Sequence, residues 1–580
     1  MCKIIRVNYR VWLSSLFIFP FLQGGYFNYA VMLLGLVQSI LVIVLAFNQH
    51  IRLRLDGIRI IIIGMFILSV ISLNASVDLG MQAFGILRML TPLLTIILYD
   101  SFHHAYPEEL HMHMAYMFVL VGVLMSLFIL LSLVIFPSSH PIITFFIQNN
   151  RMGGFFQYAN TFGIFLFGIL SLVVYMRIDQ RAKNGLLVLL GSVIILSQSR
   201  TVFVILIVYT GILLISSKEN RKNSIGILFG ILFGQILIRL LLPDFQAFRS
   251  FDLGLGAGEF QSRLLYFEDG IKMISHKLSG YGYMGYYYVQ RFFQTGASYR
   301  VRFIHSSILQ ASLDYGILAG GLFIALFIFL IKKIIRSLQM RKVQTTLAWI
   351  AISGYFLHSF VDFDFQFIAY VIFLFLFFLI VEEEEEITTV KAWSLNPYIA
   401  SLLLGFFVYF LIPSVYEYQG NNEKALEVYP YYTKAMTGRI DETKGYPKDF
   451  IEPLERFVRQ NEYYYEGFAF LREYYYNSGD LEKSLFYSYR CKELAPLWIK
   501  NHERHVEIAY AILHGRYEAG VLSINDHLFY ELFTMQSELE KLKMERANSY
   551  NIKHKAQFSL TPKMTRTISM AYQLYDVVMR

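Results

Sequence analysis

The sequence predicts an all-α, polytopic membrane protein of about 12–13 transmembrane helices, followed by a helical-repeat region in water. Three observations carry that prediction. Of 580 residues, 56% are hydrophobic and 17% aromatic while only 16% are charged, a balance too apolar for an ordinary water-soluble chain. Apolar runs of spanning size follow one another from the N-terminus to about residue 412, with polar connections between them. From Tyr418 the composition turns Tyr-rich, charged and helix-periodic. Two domains follow: 1–415 in the membrane, including a large loop at 243–305, and 416–580 as a soluble helical tail.

The apolar runs are 11–23, 29–47, 58–73, 79–98, 115–136, 161–175, 186–196, 202–215, 225–242, 308–331, 346–360, 367–381 and 398–412. Several fall short of the ~20 residues of a perpendicular span. Lys3, Arg6 and Arg10 precede the first run with no small-residue cleavage site, as in a retained signal anchor. Arginines and lysines concentrate in alternate loops: Arg52, Arg54 and Arg59; Arg177, Arg181 and Lys183; Lys218, Arg221 and Lys222; and Lys332 to Lys342. The positive-inside rule makes those loops and the N-terminus cytoplasmic. The 243–305 loop, the 137–160 connection and the tail are then expected outside the cytoplasmic membrane. Net charge of +8 says less than this placement. No nucleic-acid partner is expected.

Cys2 and Cys491, at opposite ends, predict no disulfide framework. His103, His104, His111 and His113 crowd one loop, but without arranged carboxylate or Cys co-ligands they read as an interfacial His-rich segment rather than a metal site. The acidic run 382–386 reads as a solvated helix end. In the tail, 465–496 fits one divergent tetratricopeptide-like unit: Leu471 and Tyr475, a Gly479-Asp480 turn, Ser484 and Cys491, then Pro496. Segments 423–436 and 503–513 are expected to supply neighbouring helices, since one such pair cannot bury its apolar face alone. The segment after Lys541 carries no clear signal.

The 243–305 loop is long among short connections, which is where function concentrates. It holds the candidate groups Arg263, Arg300, Arg302 and His305. Ser306 is placed to cap the next helix, setting His305 over its positive end and favouring a neutral imidazole able to accept a proton. Arg200, in Ser197-Gln198-Ser199-Arg200, and Arg151, in Asn149-Asn150-Arg151, sit in connections on the same side; each either forks onto a phosphate or snorkels to headgroups. Residues 263–278 form a candidate amphipathic helix on the membrane surface, with Leu264, Leu265, Phe267, Ile271, Met273, Ile274 and Leu278 apolar. Gly280-Tyr281-Gly282 reads as a tight turn.

Taken in order, Arg-Met-Gly-Gly-Phe-Phe-Gln-Tyr-Ala-Asn at 151–160, Ser197 to Arg200, Arg263 through Gly282 to His305, His305-Ser306, and Tyr315-Gly316 resemble the O-antigen ligase/polymerase superfamily over roughly residues 10–415. Lys277-Leu278-Ser279-Gly280-Tyr281-Gly282 lacks the proline common there, and Ser306 stands where Asn is usual. The resemblance implies a metal-independent glycosyltransferase without cofactor, moving a glycan from undecaprenyl diphosphate to an acceptor hydroxyl outside the membrane. It implies that Arg200 and Arg263 bind the diphosphate and that His305 is catalytic, with Arg151, Arg300 and Arg302 as further substrate-binding candidates. A surface-polysaccharide polymerase is the leading expectation; an O-antigen-type ligase and a protein O-oligosaccharyltransferase stay open. The expected partners are the lipid-linked glycan, the bilayer, and a protein or glycan met by the tail. In another class stand a transporter, which calls for ionisable groups deep in the spans, and a membrane scaffold, to which His305 and Arg263 would be irrelevant.

Overall fold

The computed structural model describes residues 2–242, 245, 258–295, 299–382, 391–392, 396–546 and 558–580. Each of the thirteen apolar runs overlaps a helix. In chain order these are α1 (Cys2–Ile18), α2 (Asn28–Phe47), α3 (Gly57–Ile71), α4 (Leu79–Ala105) and α5 (Pro107–Ile135), then a short α6 (Pro141–Phe146). There follow α7 (Ala159–Tyr175), α8 (Gln180–Leu196), α9 (Arg200–Ser216), α10 (Lys218–Leu241), α11 (Gly258–His276) and α12 (Gly285–Phe293). The membrane part closes with α13 (Ser307–Tyr315), α14 (Ile317–Gln339), α15 (Val343–His358), α16 (Ile368–Glu382) and α17 (Pro397–Tyr418). Among the described residues, seven helices are long and apolar enough to cross a membrane, and α7, α9 and α16 are shorter apolar helices. The chain is a multi-pass membrane protein.

Every residue of α16 from Ile368 to Val381 is buried, so this helix is the axis of the bundle. An apolar helix buried all round belongs in the middle of a membrane protein. Lipid-facing helices instead expose apolar side chains, such as Leu228, Phe229, Leu232 and Phe233 on α10. The opposite face of α10 carries Gly226, Gly230 and Gly234 at four-residue spacing, pressed on α8. A Cβ at Gly230 would lie 2.8 Å from the Val188 carbonyl oxygen, so the small residues permit backbone approach.

One expected span is divided. The 308–331 run is not a single helix: it breaks at Gly316, whose φ of 91° leaves the helical region, giving α13 and α14. Gly280, with φ of 81°, docks there, and a Cβ on it would lie 2.7 Å from the Gly316 nitrogen. Tyr281 N–H donates to Leu313 O at 2.7 Å and Gly282 N–H to Asp314 O at 3.0 Å. The Gly-Tyr-Gly turn thus pins the loop to α13.

At the far end of the bundle, Arg59 is buried and donates to Asp100 at 2.7 Å and to Asp56 at 2.8 Å. Lys333 pairs with Glu382 at 2.9 Å. Buried charges are tolerated in such a place only when paired. The histidine segment lies at this end too: His103 meets Arg54, His111 meets Tyr99, and His113 meets Tyr9. A two-residue strand β1 (Arg52–Leu53) pairs antiparallel with β4 (Lys391–Ala392). The 383–386 part of the acidic run, and the start of the long loop near Phe251, lie outside the described residues.

The tail is helical: α18 (Asn422–Val428), α19 (Thr433–Glu442), α20 (Lys448–Gln460), α21 (Tyr465–Asn477), α22 (Leu481–Leu494), α23 (Ile499–Glu518), α24 (His527–Arg546) and α25 (Pro562–Met579). Helices α21 and α22 form the expected hairpin, turning at Gly479 with φ of 85° and capped by Asp480. The expected helix over 423–436 is instead two, because Tyr429-Pro430-Tyr431-Tyr432 interrupts it. Proline has no N–H for a helix interior and disfavours helical geometry in the residue before it. Tyr429 and Tyr432 of this interruption pack on the membrane part: Tyr429 Oη donates to Gly80 O at 3.1 Å, and Asn28 donates to Tyr432 Oη at 3.2 Å.

Candidate active site

His305 stands immediately before α13, and Ser306 caps that helix by accepting from the Leu309 N–H. The cap predicted from sequence is present. His305 itself has φ of 57°, a left-handed conformation uncommon for a residue with a side chain. Such a backbone persists only where its surroundings over-determine it. Here the Gln310 side chain holds the Ile304 N–H at 3.0 Å, and Gln290 clasps Val301 through both its N–H and its carbonyl. The imidazole lies between Tyr266, stacked at 6.2 Å, and the edge of Phe363 at 5.0 Å.

The decisive neighbour is Asp362, in the connection between α15 and α16. Its carboxylate is 1% exposed, and one oxygen faces His305 Nδ1 at 3.4 Å. Tyr158 Oη donates to it at 2.8 Å and Asn160 Nδ2 at 2.6 Å. Arg263, reaching from α11, approaches it to 3.7 Å and donates to the Val361 carbonyl at 2.8 Å. Ser307 of α13 donates to the Asp362 carbonyl at 3.0 Å, while its N–H bonds to Ser359 O at 2.7 Å. Burial alone would raise the Asp362 carboxyl; the facing His305 imidazole and the Arg263 charge outweigh it and hold the group well below the usual carboxylate range. Beside it, Asp364 accepts from Thr161 at 2.6 Å and pairs with His358 at 2.6 Å. That second pair fixes the connection from below.

This arrangement has a chemical consequence. A carboxylate facing Nδ1 favours the tautomer protonated there, which leaves the Nε2 lone pair as a proton acceptor. At 3.4 Å the contact is longer than a closed hydrogen bond. His305 is 22% exposed, so its ring is reachable.

Arg151 joins the same network. A hairpin of β2 (Ile147–Gln148) and β3 (Arg151–Met152) turns on Asn149 and Asn150, both with positive φ, as a two-residue hairpin turn requires. Arg151 bonds to Asn160 and to the Ser197 carbonyl, so it bridges the Asp362 cluster to the connection that carries Arg200. Arg200 is the first residue of α9 and half-buried. Arg302 is exposed and donates to Tyr26 Oη at 3.2 Å. Arg300 lies elsewhere: it pairs with Glu466 of the tail at 2.5 Å and stacks over Tyr287. Glu466 also holds Arg291 of α12 at 3.1 Å, and Arg291 stacks on Tyr465. The tail thereby grips both ends of the segment leading to His305. Glu466→Ala should lower turnover roughly three- to tenfold while leaving membrane level unchanged, the cost of a small misplacement, and Glu466→Asp should recover part of it. A turnover assay on matched protein amounts checks this.

Helix α11 covers the expected amphipathic segment but divides its apolar residues. Leu265, Met273 and Ile274 are buried, whereas Leu264 and Ile271, seven residues apart on the helix, are exposed, as is Leu278 in the turn beyond its end. Asp362, Tyr158, Asn160 and the Asp364–His358 pair were not among the site residues predicted from sequence. The available signal was two aspartates in Val361-Asp362-Phe363-Asp364 between two apolar helices, where a carboxylate is costly unless it works or is paired.

Residues 185–324 match the family described as O-Antigen ligase, a stretch that runs from α8 through His305 into α14. That match supports membership of the O-antigen ligase/polymerase superfamily. No curated protein and no solved structure matches the chain.

Proposed function

We propose that this protein is a glycosyl or oligosaccharyl transferase that moves a glycan from a polyprenyl diphosphate, undecaprenyl diphosphate in a bacterium, to an acceptor hydroxyl on the outer side of the cytoplasmic membrane. The observation that carries this reading is the facing of His305 Nδ1 by buried Asp362, with Arg263 on the same carboxylate. His305 Nε2 takes the proton of the acceptor hydroxyl as its oxygen bonds to the sugar's anomeric carbon. The bond from that carbon to the diphosphate breaks, and the lipid diphosphate leaves with the electron pair. Arg263 is 27% exposed and has donors to spare beyond Val361, so it is suited to the diphosphate's growing charge. Arg151 is tied to the Asp362 cluster through Asn160, and with Arg200 and Arg302 it is a further candidate for that charge, with arginine in place of a metal.

Exposed Leu264 and Ile271 on α11, with Leu278 just beyond it, suit a helix lying on the membrane surface, the level at which a lipid-linked diphosphate is found. The acceptor we favour is another lipid-linked glycan, making the protein a surface-polysaccharide polymerase, with the tetratricopeptide-like tail outside.

The test is transfer by purified protein in nanodiscs supplied with lipid-linked repeat units and EDTA. Ladders of repeats on lipid support the polymerase; glycan appearing only on added lipid A core or peptide assigns a ligase or protein transferase. No transfer to any of them overturns the reading. In this assay Arg263→Lys should lower kcat/KM roughly 10- to 100-fold, the worth of one charge-assisted hydrogen bond, because lysine keeps the charge but loses the fork.

A further inference from the structure

Helices α18, α19 and α20 of the tail enclose an open groove of about 480 Å³. Tyr431, Phe450 and Phe457 line it, and Glu427, Asp449 and Gln460 stand at its edges. Tyr431 is 52% exposed. Its neighbours Tyr429 and Tyr432 are turned inward onto the membrane part, and Gly80 of α4 meets the Tyr431 carbonyl so closely that no side chain would fit there. The Tyr431 backbone is therefore held in place, and its ring, edge-on to Tyr429 at 6.1 Å, is part of the groove's lining. Glu427, Asp449 and Gln460 have no hydrogen-bond or ion-pair partner among the described residues. On the same wall Arg439 is committed to Glu423 at 3.1 Å.

An aromatic face beside unpaired carboxylates and an amide matches a ligand that has apolar C–H faces and hydroxyls that both donate and accept. A pyranose has both. A lipid chain would need a continuous apolar channel, which the charged rim interrupts. A basic peptide would meet Arg439 and Arg456 along with the carboxylates. The groove also shares a frame with the candidate active site. Gly80 lies near the start of α4; Val77, just before it, donates to Tyr281 O at 2.9 Å, and Tyr281 is tied to α13, whose N-terminus carries His305.

We propose that this groove is a glycan-binding subsite, remote from the reacting bond, that retains the oligosaccharide between rounds of transfer and so sets product length. The proposal rests on the transferase reading above. Its test uses full-length protein in nanodiscs and, as probe, water-soluble oligosaccharides of several repeats released by mild acid from the host's lipid-linked glycan. Tyr431→Ala should weaken probe binding roughly three- to tenfold, the scale of one aromatic contact, whereas Tyr431→Phe should keep it. Glu427→Gln should weaken it as well. The rate of a single transfer should stay at the wild-type value in all three, while Tyr431→Ala and Glu427→Gln shorten the product. Wild-type binding and product length in both of these variants would overturn the subsite while leaving the transferase reading intact. Binding of a decalysine peptide that is lost in both variants, with oligosaccharide binding unchanged, would overturn it in favour of a protein partner. If the wild type transfers no glycan, the transferase reading falls by itself; failure of the wild type to bind the probe overturns the subsite.

Discussion

Asp362→Asn should lower turnover by about 10²–10⁴-fold, the range over which a correctly poised general base acts. The substitution keeps the shape of the side chain, so the packing of Phe363 and the Ser307 bond to the 362 carbonyl survive. What it removes is the anion facing His305 Nδ1 at 3.4 Å. An asparagine can turn its NH₂ toward that nitrogen, which favours the opposite tautomer and leaves Nε2 protonated and unable to accept. The measurement is kcat on protein purified in equal yield. The pH dependence follows from the depressed carboxyl. A carboxylate whose native pKa lies below its unfolded value contributes stability that is present above the unfolded value, near 3.9, and disappears as pH falls through the native value. Asp362 therefore stays ionised from about pH 5 to 8, and a loss of activity in that interval would come from another group.

His305→Asn should abolish transfer to a similar degree, about 10²–10⁴-fold in kcat, with binding of the lipid-linked donor retained. Asparagine is the better replacement here because residue 305 has φ of 57°, a conformation that asparagine adopts more readily than alanine. Donor binding should persist because Arg263, which is assigned to the diphosphate, is held by the Val361 carbonyl and not by the imidazole. A matching fall in donor affinity would mean that His305 acts in binding instead of in proton transfer.

Much of the site's local structure was legible in the sequence. Ser306 caps α13 as a serine before an apolar helix does, and Gly280 and Gly282 turn where glycines permit positive φ. His305 and Arg263 were candidates from residue type, from their place in the long loop and from the order of motifs, and both lie beside Asp362. Asp362 was not, because its partners are distant in sequence: Tyr158 and Asn160 lie 204 and 202 residues before it. No local periodicity encodes such pairing. Arg300 fits the profile of a phosphate ligand by type and position, yet it pairs with Glu466, a tail residue that only tertiary packing brings near. The break at Gly316 was hidden for another reason. Apolar residues continue on both sides of it, so hydropathy reads one span where backbone geometry makes two helices.

On the proposed mechanism His305, oriented by Asp362, activates the acceptor hydroxyl in glycan transfer. Its most direct test is to express wild type, His305→Asn and Asp362→Asn at equal membrane levels in cells lacking the native protein, then compare surface glycan and lipid-linked intermediates. Both variants should lose long surface glycan and accumulate single lipid-linked repeats. Wild-type glycan and intermediates in the His305→Asn cells would contradict it.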